Sequence, residues 1–195
     1  MEEKRLRLNR IKNKYQVFYE DKLIGEFPVR LINKIGIKDE KIDEERFLQI
    51  LSDYFIPYTK ERVLRLITYR QRSKEEIRRY LNRHKFSKDI ADAIIKDFTR
   101  AGLIDDVSFA EFFALSRFRM KPVGKFYIEQ ELKKKGISSD IIHRILSNYD
   151  EEEALKNAYE RAKKIYPDNK EKKIQFLMRR GFDISMIFEI INEKM

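Results

Sequence analysis

Between Leu115 and Lys135 the chain carries seven basic residues, Arg117, Arg119, Lys121, Lys125, Lys133, Lys134 and Lys135, against two acids, Glu129 and Glu131. A cluster of that density suits phosphate. Each phosphate neutralised by Lys or Arg releases condensed counterions, and the resulting binding weakens as salt rises. The same residues have a plainer use: Lys125, Glu129 and Lys133 are four apart, a spacing that supports a helix by ~0.2–0.5 kcal/mol per pair. The cluster as a whole reads as a surface for phosphates or for the acidic parts of a nucleoprotein, whereas any single Lys in it reads as helix support. Arg179 and Arg180 precede Gly181 at the end of another predicted helix. There they either complement the negative end of the helix dipole, worth ~0.3–1 kcal/mol each, or contact a partner. Neighbours on a helix point about 100° apart, so one can serve the helix end while the other reaches outward. Glu75 and Glu76 lie on turns neighbouring Arg78, Arg79 and Arg83, which read as structural pairs.

Aromatic residues accompany the cations. Phe109, Phe112, Phe113 and Phe118 could stack unpaired bases, at ~1–3 kcal/mol per base, but their helical spacing places them in a core. Of Phe126 and Tyr127, only one can share the face of Ile128 and Leu132, and Tyr127, with its polar tip, is the surface candidate.

Catalysis has little to work with. The pair Asp105 and Asp106 is what a helix start calls for, since acids there meet unpaired N–H groups and the positive dipole end. There is no Cys, the two His residues are distant in sequence, and six Gly form no phosphate loop. A non-enzyme without metal or cofactor is expected.

The elements that must position these residues form a unit that occurs three times. Leu81, Leu132 and Leu177 open LNRHKFSKDIADAII, LKKKGISSDIIHRIL and LMRRGFDISMIFEII, spaced by 51 and then 45 residues. Four places after each Leu stands Lys85, Gly136 or Gly181, then Phe86, Ile137 or Phe182, then Ser87, Ser138 or Asp183. The pattern is helix, tight stop, cap, helix. The second helix carries an apolar stripe that one unit cannot bury alone, so the units stack. Lys85, where the other units have Gly, means either that this helix ends differently or that the lysine accepts a strained or non-left-handed geometry.

Helices are predicted over about 60–70, 74–84 and 88–101, then 107–119, 123–135 and 139–149, then 151–165, 170–179 and 184–193. Ser73 and Glu76 form a capping box, and Asp43 caps an earlier helix. The first thirty residues alternate with period two instead. Tyr15, Val17 and Tyr19 face Leu23 to Phe27 across a turn, which predicts a β-hairpin, or a three-stranded meander if Arg5 to Ile11 joins it. The expected fold is mainly α: three tandem three-helix repeats in an elongated curved stack, with a small N-terminal β-hairpin and helical extension. The segments are 1–57 for the hairpin and short helices, 58–104 for repeat 1, 105–149 for repeat 2 and 150–195 for repeat 3.

A net charge of +10 favours a polyanion as partner, although the Lys, Glu and Ile bias also suits a protein built for heat. No stretch approaches the ~20 apolar residues of a membrane span, and MEEKRLRLNRIKN lacks a secretory core. The expected location is the cytoplasm, with no membrane partner.

At GLIDDVSFAEFF (102–113), RFRMKPVGKFYIEQELKKKGI (117–137) and FLMRRGF (176–182) the chain resembles the RecX regulatory proteins of bacteria. TYRQRSKEEI at 68–77 is similar to the family's opening helix. The most specific stretch is Lys121, Pro122 and Gly124 followed by Ile128, Glu131, Leu132, Lys135, Gly136 and Ile137. The resemblance implies a non-enzymatic modulator of the RecA recombinase in recombination, DNA repair and the SOS response. Such a modulator binds the RecA filament on single-stranded DNA along its groove and usually inhibits ATP hydrolysis, strand exchange and co-protease activity. It implies DNA contact directly or through the filament, and a monomer suffices for so large a partner. The residues expected to touch it are Arg117, Arg119, Lys121, Lys125, Tyr127, Lys133, Lys134, Arg179 and Arg180.

The competing class is a protein acting on DNA by itself, either without sequence preference or as a helix-turn-helix regulator. Against base reading, the helices 89–100, 140–148 and 184–193 carry few Arg, Asn or Gln to meet base edges.

Overall fold

The computed structural model describes residues 4–193. The chain divides into two compact units, Met1–Asp105 and Asp106–Met195.

The first unit begins with strands β1 (Lys4–Ile11), β2 (Lys14–Tyr19) and β3 (Lys22–Pro28), then helix α1 (Val29–Ile35), strand β4 (Glu40–Ile42) and helix α2 (Glu44–Ile50). The expected hairpin is the centre of a four-stranded antiparallel sheet in the order β3-β2-β1-β4. Glu20 and Asp21, both at positive φ, make the two-residue turn between β2 and β3, a backbone whose twist matches that of the flanking strands. A sheet this small is marginal alone. It buries Leu6, Val17 and Phe27 on one face, where Phe27 stacks on Phe55 with ring centroids 4.0 Å apart and meets Phe86 edge-on. At Gly25 an added Cβ would come within 2.9 Å of the Phe86 ring, so Gly lets the strand approach that ring.

After α2 the helix widens into a π-helical stretch, Leu51–Phe55, and continues as α3 (Ile56–Tyr69). Residues 56 and 57, where the sequence suggests a break, are therefore helical. Pro57, near the start of α3, has no N–H to give the preceding turn, and irregular turns of this kind commonly accompany proline. Helices α4 (Lys74–Arg83) and α5 (Lys88–Arg100) complete the unit. Ser73 caps α4 by accepting from the Glu76 N–H at 3.1 Å, and Ser87 caps α5 at 3.3 Å from the Ile90 N–H.

Among the described residues, the elements of the second unit are all helices: α6 (Asp106–Met120), α7 (Lys125–Lys134), α8 (Ser139–Ser147), α9 (Glu151–Ile165), α10 (Lys170–Met178) and α11 (Ile184–Glu193). The repeated stop recurs in hydrogen-bond detail. Phe86, Ile137 and Phe182 each donate their N–H to the carbonyl of Leu81, Leu132 or Leu177, five residues back. The residue before each, Lys85, Gly136 or Gly181, donates three back and has φ of 61°, 73° or 77°. This is the Schellman closure three times over. All three leucines are fully buried, and the closing apolar residue of each stop is buried as well.

Phe112 departs from the expected core placement: it is 61% exposed. With about 100° per residue, Phe109, Ala110, Phe113 and Ala114 share an inward arc, and Phe112 falls well outside it.

Candidate functional site

Lys121 to Gly124, the turn between α6 and α7, is held by its neighbours through its backbone. Arg161 of α9 donates to the carbonyls of Met120 at 2.6 Å and Arg119 at 3.3 Å. Arg180, just past α10, donates to the Pro122 carbonyl at 2.9 Å, and its own carbonyl accepts from the Gly124 N–H at 2.8 Å. Tyr149, after α8, donates its hydroxyl to the Val123 carbonyl at 2.7 Å. The Lys125 N–H, at the start of α7, meets the Glu151 carboxylate at 2.7 Å. These are carbonyls and amides left without partners by the end of one helix and the start of the next. The turn thus becomes a fixed platform.

Local sequence accounts for the fit. Gly124 and Gly181 cross at van der Waals distance: a Cβ on Gly124 would run into the Gly181 carbonyl and lie 2.7 Å from the Phe182 nitrogen. A Cβ on Gly181 would lie 2.7 Å from the Tyr127 nitrogen. Ala154, Ala158 and Ala162 form a fully buried small stripe on α9 that lets this helix come close. Burial, with Arg161 nearby, lowers the Arg180 pKa from its usual value, and the Arg180 guanidinium lies 4.2 Å from the Phe176 ring centre. Burial also pushes the Tyr149 phenol up to about 12.

On this platform the basic residues divide. Arg119 and Lys121 are exposed, Lys125 is half-buried, and no ion pair is recorded for any of the three among the described residues. Lys133 and Lys134 are exposed but face Glu129 at 2.6 Å and Glu131 at 3.0 Å. Arg117 turns inward, its guanidinium 4.9 Å from the Phe113 ring centre and 5.8 Å from that of Tyr127, with its Nε buried and without a hydrogen-bond partner among the described residues. Tyr127 is half-buried beneath it against Gly181, while Phe126 is the open aromatic at 64% exposure. Of the arginine pair, Arg179 is exposed and Arg180 is the strut. Arg119 at the end of α6, Lys121 in the turn and Lys125 at the start of α7 therefore lie along one short stretch of chain whose backbone is held by its neighbours.

Arg161 was not legible as a functional residue. Its only sequence signal is its place next to Ala162 in the alanine stripe. In the first unit, Arg78 pairs with Glu75 and Asp92, and Arg79 with Glu75. Among the described residues, no group of three or more His, Asp or Glu is placed to hold a metal ion, and no helix is long and apolar enough to cross a membrane.

Two family models match the chain: "RecX, first three-helix domain" over residues 60–98 and "RecX, second three-helix domain" over residues 105–146. A protein of Chlorobium phaeobacteroides named "Regulatory protein RecX" is 42% identical over 137 residues, 67% of this chain and 89% of that protein. One of the same name from Lactococcus lactis is 33% identical over 159 residues, covering 76% of this chain and 59% of the relative. A crystal structure of regulatory protein RecX superposes with a TM-score of 0.65 at 20% identity, over 98% of this chain and all of the other, which is a likeness of fold.

Proposed function

This chain belongs to the RecX family of regulatory proteins, and we propose that it acts by binding the RecA filament on single-stranded DNA. It occupies the filament's groove and inhibits ATP hydrolysis, strand exchange and co-protease activity, without catalysing a reaction itself. The observation that carries the reading to particular residues is the platform at Lys121–Gly124, whose backbone is tied at both ends, with no ion pair recorded among the described residues for Arg119, Lys121 or Lys125 in and beside it. A cation on a fixed backbone loses less conformational entropy on docking than one on a mobile loop, since only its side chain has still to be ordered. Arg119, Lys121 and Lys125 are the first contacts in this account. Lys133, Lys134, Arg179 and Tyr127 flank them, and Arg117 and Arg180 hold the surface in place.

The test is the rate of ATP hydrolysis by RecA on single-stranded DNA while the protein is titrated in at fixed salt. The expected result is a fall in rate at well below one molecule per recombinase subunit. The double variant Lys121→Glu, Lys125→Glu should keep its helicity and bind the filament more weakly; unchanged affinity removes this turn from the account. No change in hydrolysis at saturation, with bare DNA still bound, would point instead to a protein that acts on DNA alone.

A further inference from the structure

The sheet of the first unit has an edge that its own strands leave half used. β4 pairs with β1 only from Lys4 to Leu6, whereas β1 runs on to Ile11. In an antiparallel ladder each residue turns its N–H and C=O to one side, and the side alternates along the strand. The Arg5 carbonyl accepts from the Glu20 N–H, so Arg5, Arg7, Asn9 and Ile11 bond toward β2, while Leu6, Leu8 and Arg10 bond toward the outer edge. The Leu8 N–H is met there by the Asp39 carboxylate. For the Leu8 carbonyl and for both backbone groups of Arg10, no partner is recorded among the described residues. An edge in this state is a template for a further strand.

Beside that edge lies a cavity of about 450 Å³, lined by Leu8 and Tyr15 of the sheet, Ile32 and Asn33 of α1, and Ile37 and Lys38 of the loop that follows. Ile32 and Ile37 are buried in its wall. Strand side chains alternate between faces, so every second side chain of an added strand would stand on the Leu8 face, where the cavity is. Cations surround it: Lys38 lines it, Lys34 follows Asn33 on α1, and Arg10 lies two residues along β1 on the face of Leu8. All three are exposed, and no ion pair is recorded for any of them among the described residues. Asp39, the acid in the lining, is occupied by the Leu8 N–H. These charges select the occupant. A second copy of the chain would bring the same cations to the same edge and be repelled, whereas an extended segment with carboxylates beside an apolar residue would be drawn in.

We infer that the β1 edge from Leu8 to Arg10 binds an extended acidic segment of a partner protein as a fifth strand, with one apolar side chain in the cavity and carboxylates on Arg10, Lys34 and Lys38. Backbone pairing supplies affinity and the cavity supplies selectivity, the division found in strand addition generally. The site belongs to the first unit and uses no residue of the Lys121 platform.

The experiment is fluorescence anisotropy of the labelled, amidated peptide Glu-Thr-Val-Glu-Val-Thr-Glu with the full chain at fixed low salt. Saturable binding is expected, and the peptide with Lys in place of each Glu should not bind. The double variant Arg10→Glu, Lys38→Glu alters two exposed side chains, so it should keep the circular dichroism of the unaltered protein and bind the acidic peptide roughly tenfold more weakly. Backbone pairing is read separately with two acidic peptides N-methylated on alternate residues: methyl groups that face β1 should abolish binding, and those that face away should leave it. Equal binding of the two methylated peptides overturns strand addition in favour of a loose charge contact. Equal binding of the lysine peptide, unchanged affinity in the double variant, or no binding of the acidic peptide overturns the assignment. Self-association of the unaltered chain that the acidic peptide disperses overturns it in favour of a second copy. Loss of peptide binding in the double variant with inhibition of the recombinase retained supports this site and leaves the filament reading on its own test.

Discussion

Gly124 and Gly181, 57 residues apart in sequence, pass so close that a Cβ on either one would meet the backbone of the other's segment. The contact joins the turn before α7 to the turn after α10, and the Gly124 N–H completes it at 2.8 Å from the Arg180 carbonyl. Backbone on both sides leaves no flexible side-chain end to give way. Gly124→Ala should therefore cost ~3 kcal/mol or more, at the upper end of overpacking penalties, read as a lowered urea midpoint for the second unit. Gly102 is the comparison. It also has positive φ, 69°, but open space around it, so Gly102→Ala should cost only the ~1–2 kcal/mol of a left-handed L-residue. Equal losses at the two positions would contradict the crossing.

Arg161 and Arg180 hold three carbonyls of the same segment between them, those of Arg119, Met120 and Pro122. Removal of Arg180 leaves the carbonyl of buried Pro122 unmet, at ~1–3 kcal/mol, whereas the Arg119 and Met120 carbonyls that Arg161 holds belong to exposed residues open to water, so its removal should cost less. The effect should be local as well as global. In Arg180→Met, which keeps the packing over Phe176, hydrogen exchange at the Gly124 and Lys125 amides should speed up more than at Leu132, deep in α7. Arg161→Ala should weaken filament binding although its side chain is directed at backbone and not outward. Wild-type exchange rates in both variants would show that the glycine crossing alone holds the turn.

How much of this was legible in sequence follows from how locally each feature is encoded. The three closures at Leu81, Leu132 and Leu177 were readable because a Schellman stop is specified within about seven neighbouring residues. Strand β4 was not: its three residues, Glu40 to Ile42, show no alternation and are strand only because β1 offers Lys4 to Leu6 as a partner. The density of cations from Arg117 to Lys135 could be counted, but their directions could not, because Arg117 is drawn inward by Phe113 and Tyr127. Tyr127 and Phe126 exchanged their expected exposures for a related reason: Gly181 receives the Tyr127 backbone from 54 residues away in sequence.

Tyr149 gives the platform a pH signature. Its phenol titrates at about 12 in the folded protein, above the ~10 of an unfolded chain. Below pH ~10 both states hold the proton and the contribution is complete. Between pH ~10 and about 12 the unfolded chain releases the proton while the folded one keeps it, so stability falls with rising pH. Tyr149→Phe removes the hydrogen bond to Val123 and should cost ~1–3 kcal/mol at neutral pH. The gap between the two proteins should then narrow from pH 10 upward, since other groups titrate equally in both. A constant gap would mean that the phenol ionises as freely when folded as when unfolded.

Lys85 supplies the opposite case to Gly124, a position where glycine is absent but fits. Its φ is 61°, its N–H bonds to the Asn82 carbonyl at 2.9 Å, and its side chain is exposed. The geometry is that of Gly136 and Gly181, held by the buried pair Leu81 and Phe86 on either side of the turn. A lysine in this conformation carries ~1–2 kcal/mol of strain, while glycine would relieve it and add ~0.4–1 kcal/mol of unfolded-chain entropy. Lys85→Gly should therefore stabilise the first unit by up to ~1 kcal/mol, visible as a raised midpoint in thermal unfolding. Lys85→Val, branched at Cβ and less tolerant of positive φ, should lower it. A destabilised glycine variant would mean that the lysine side chain makes a favourable contact worth more than the strain.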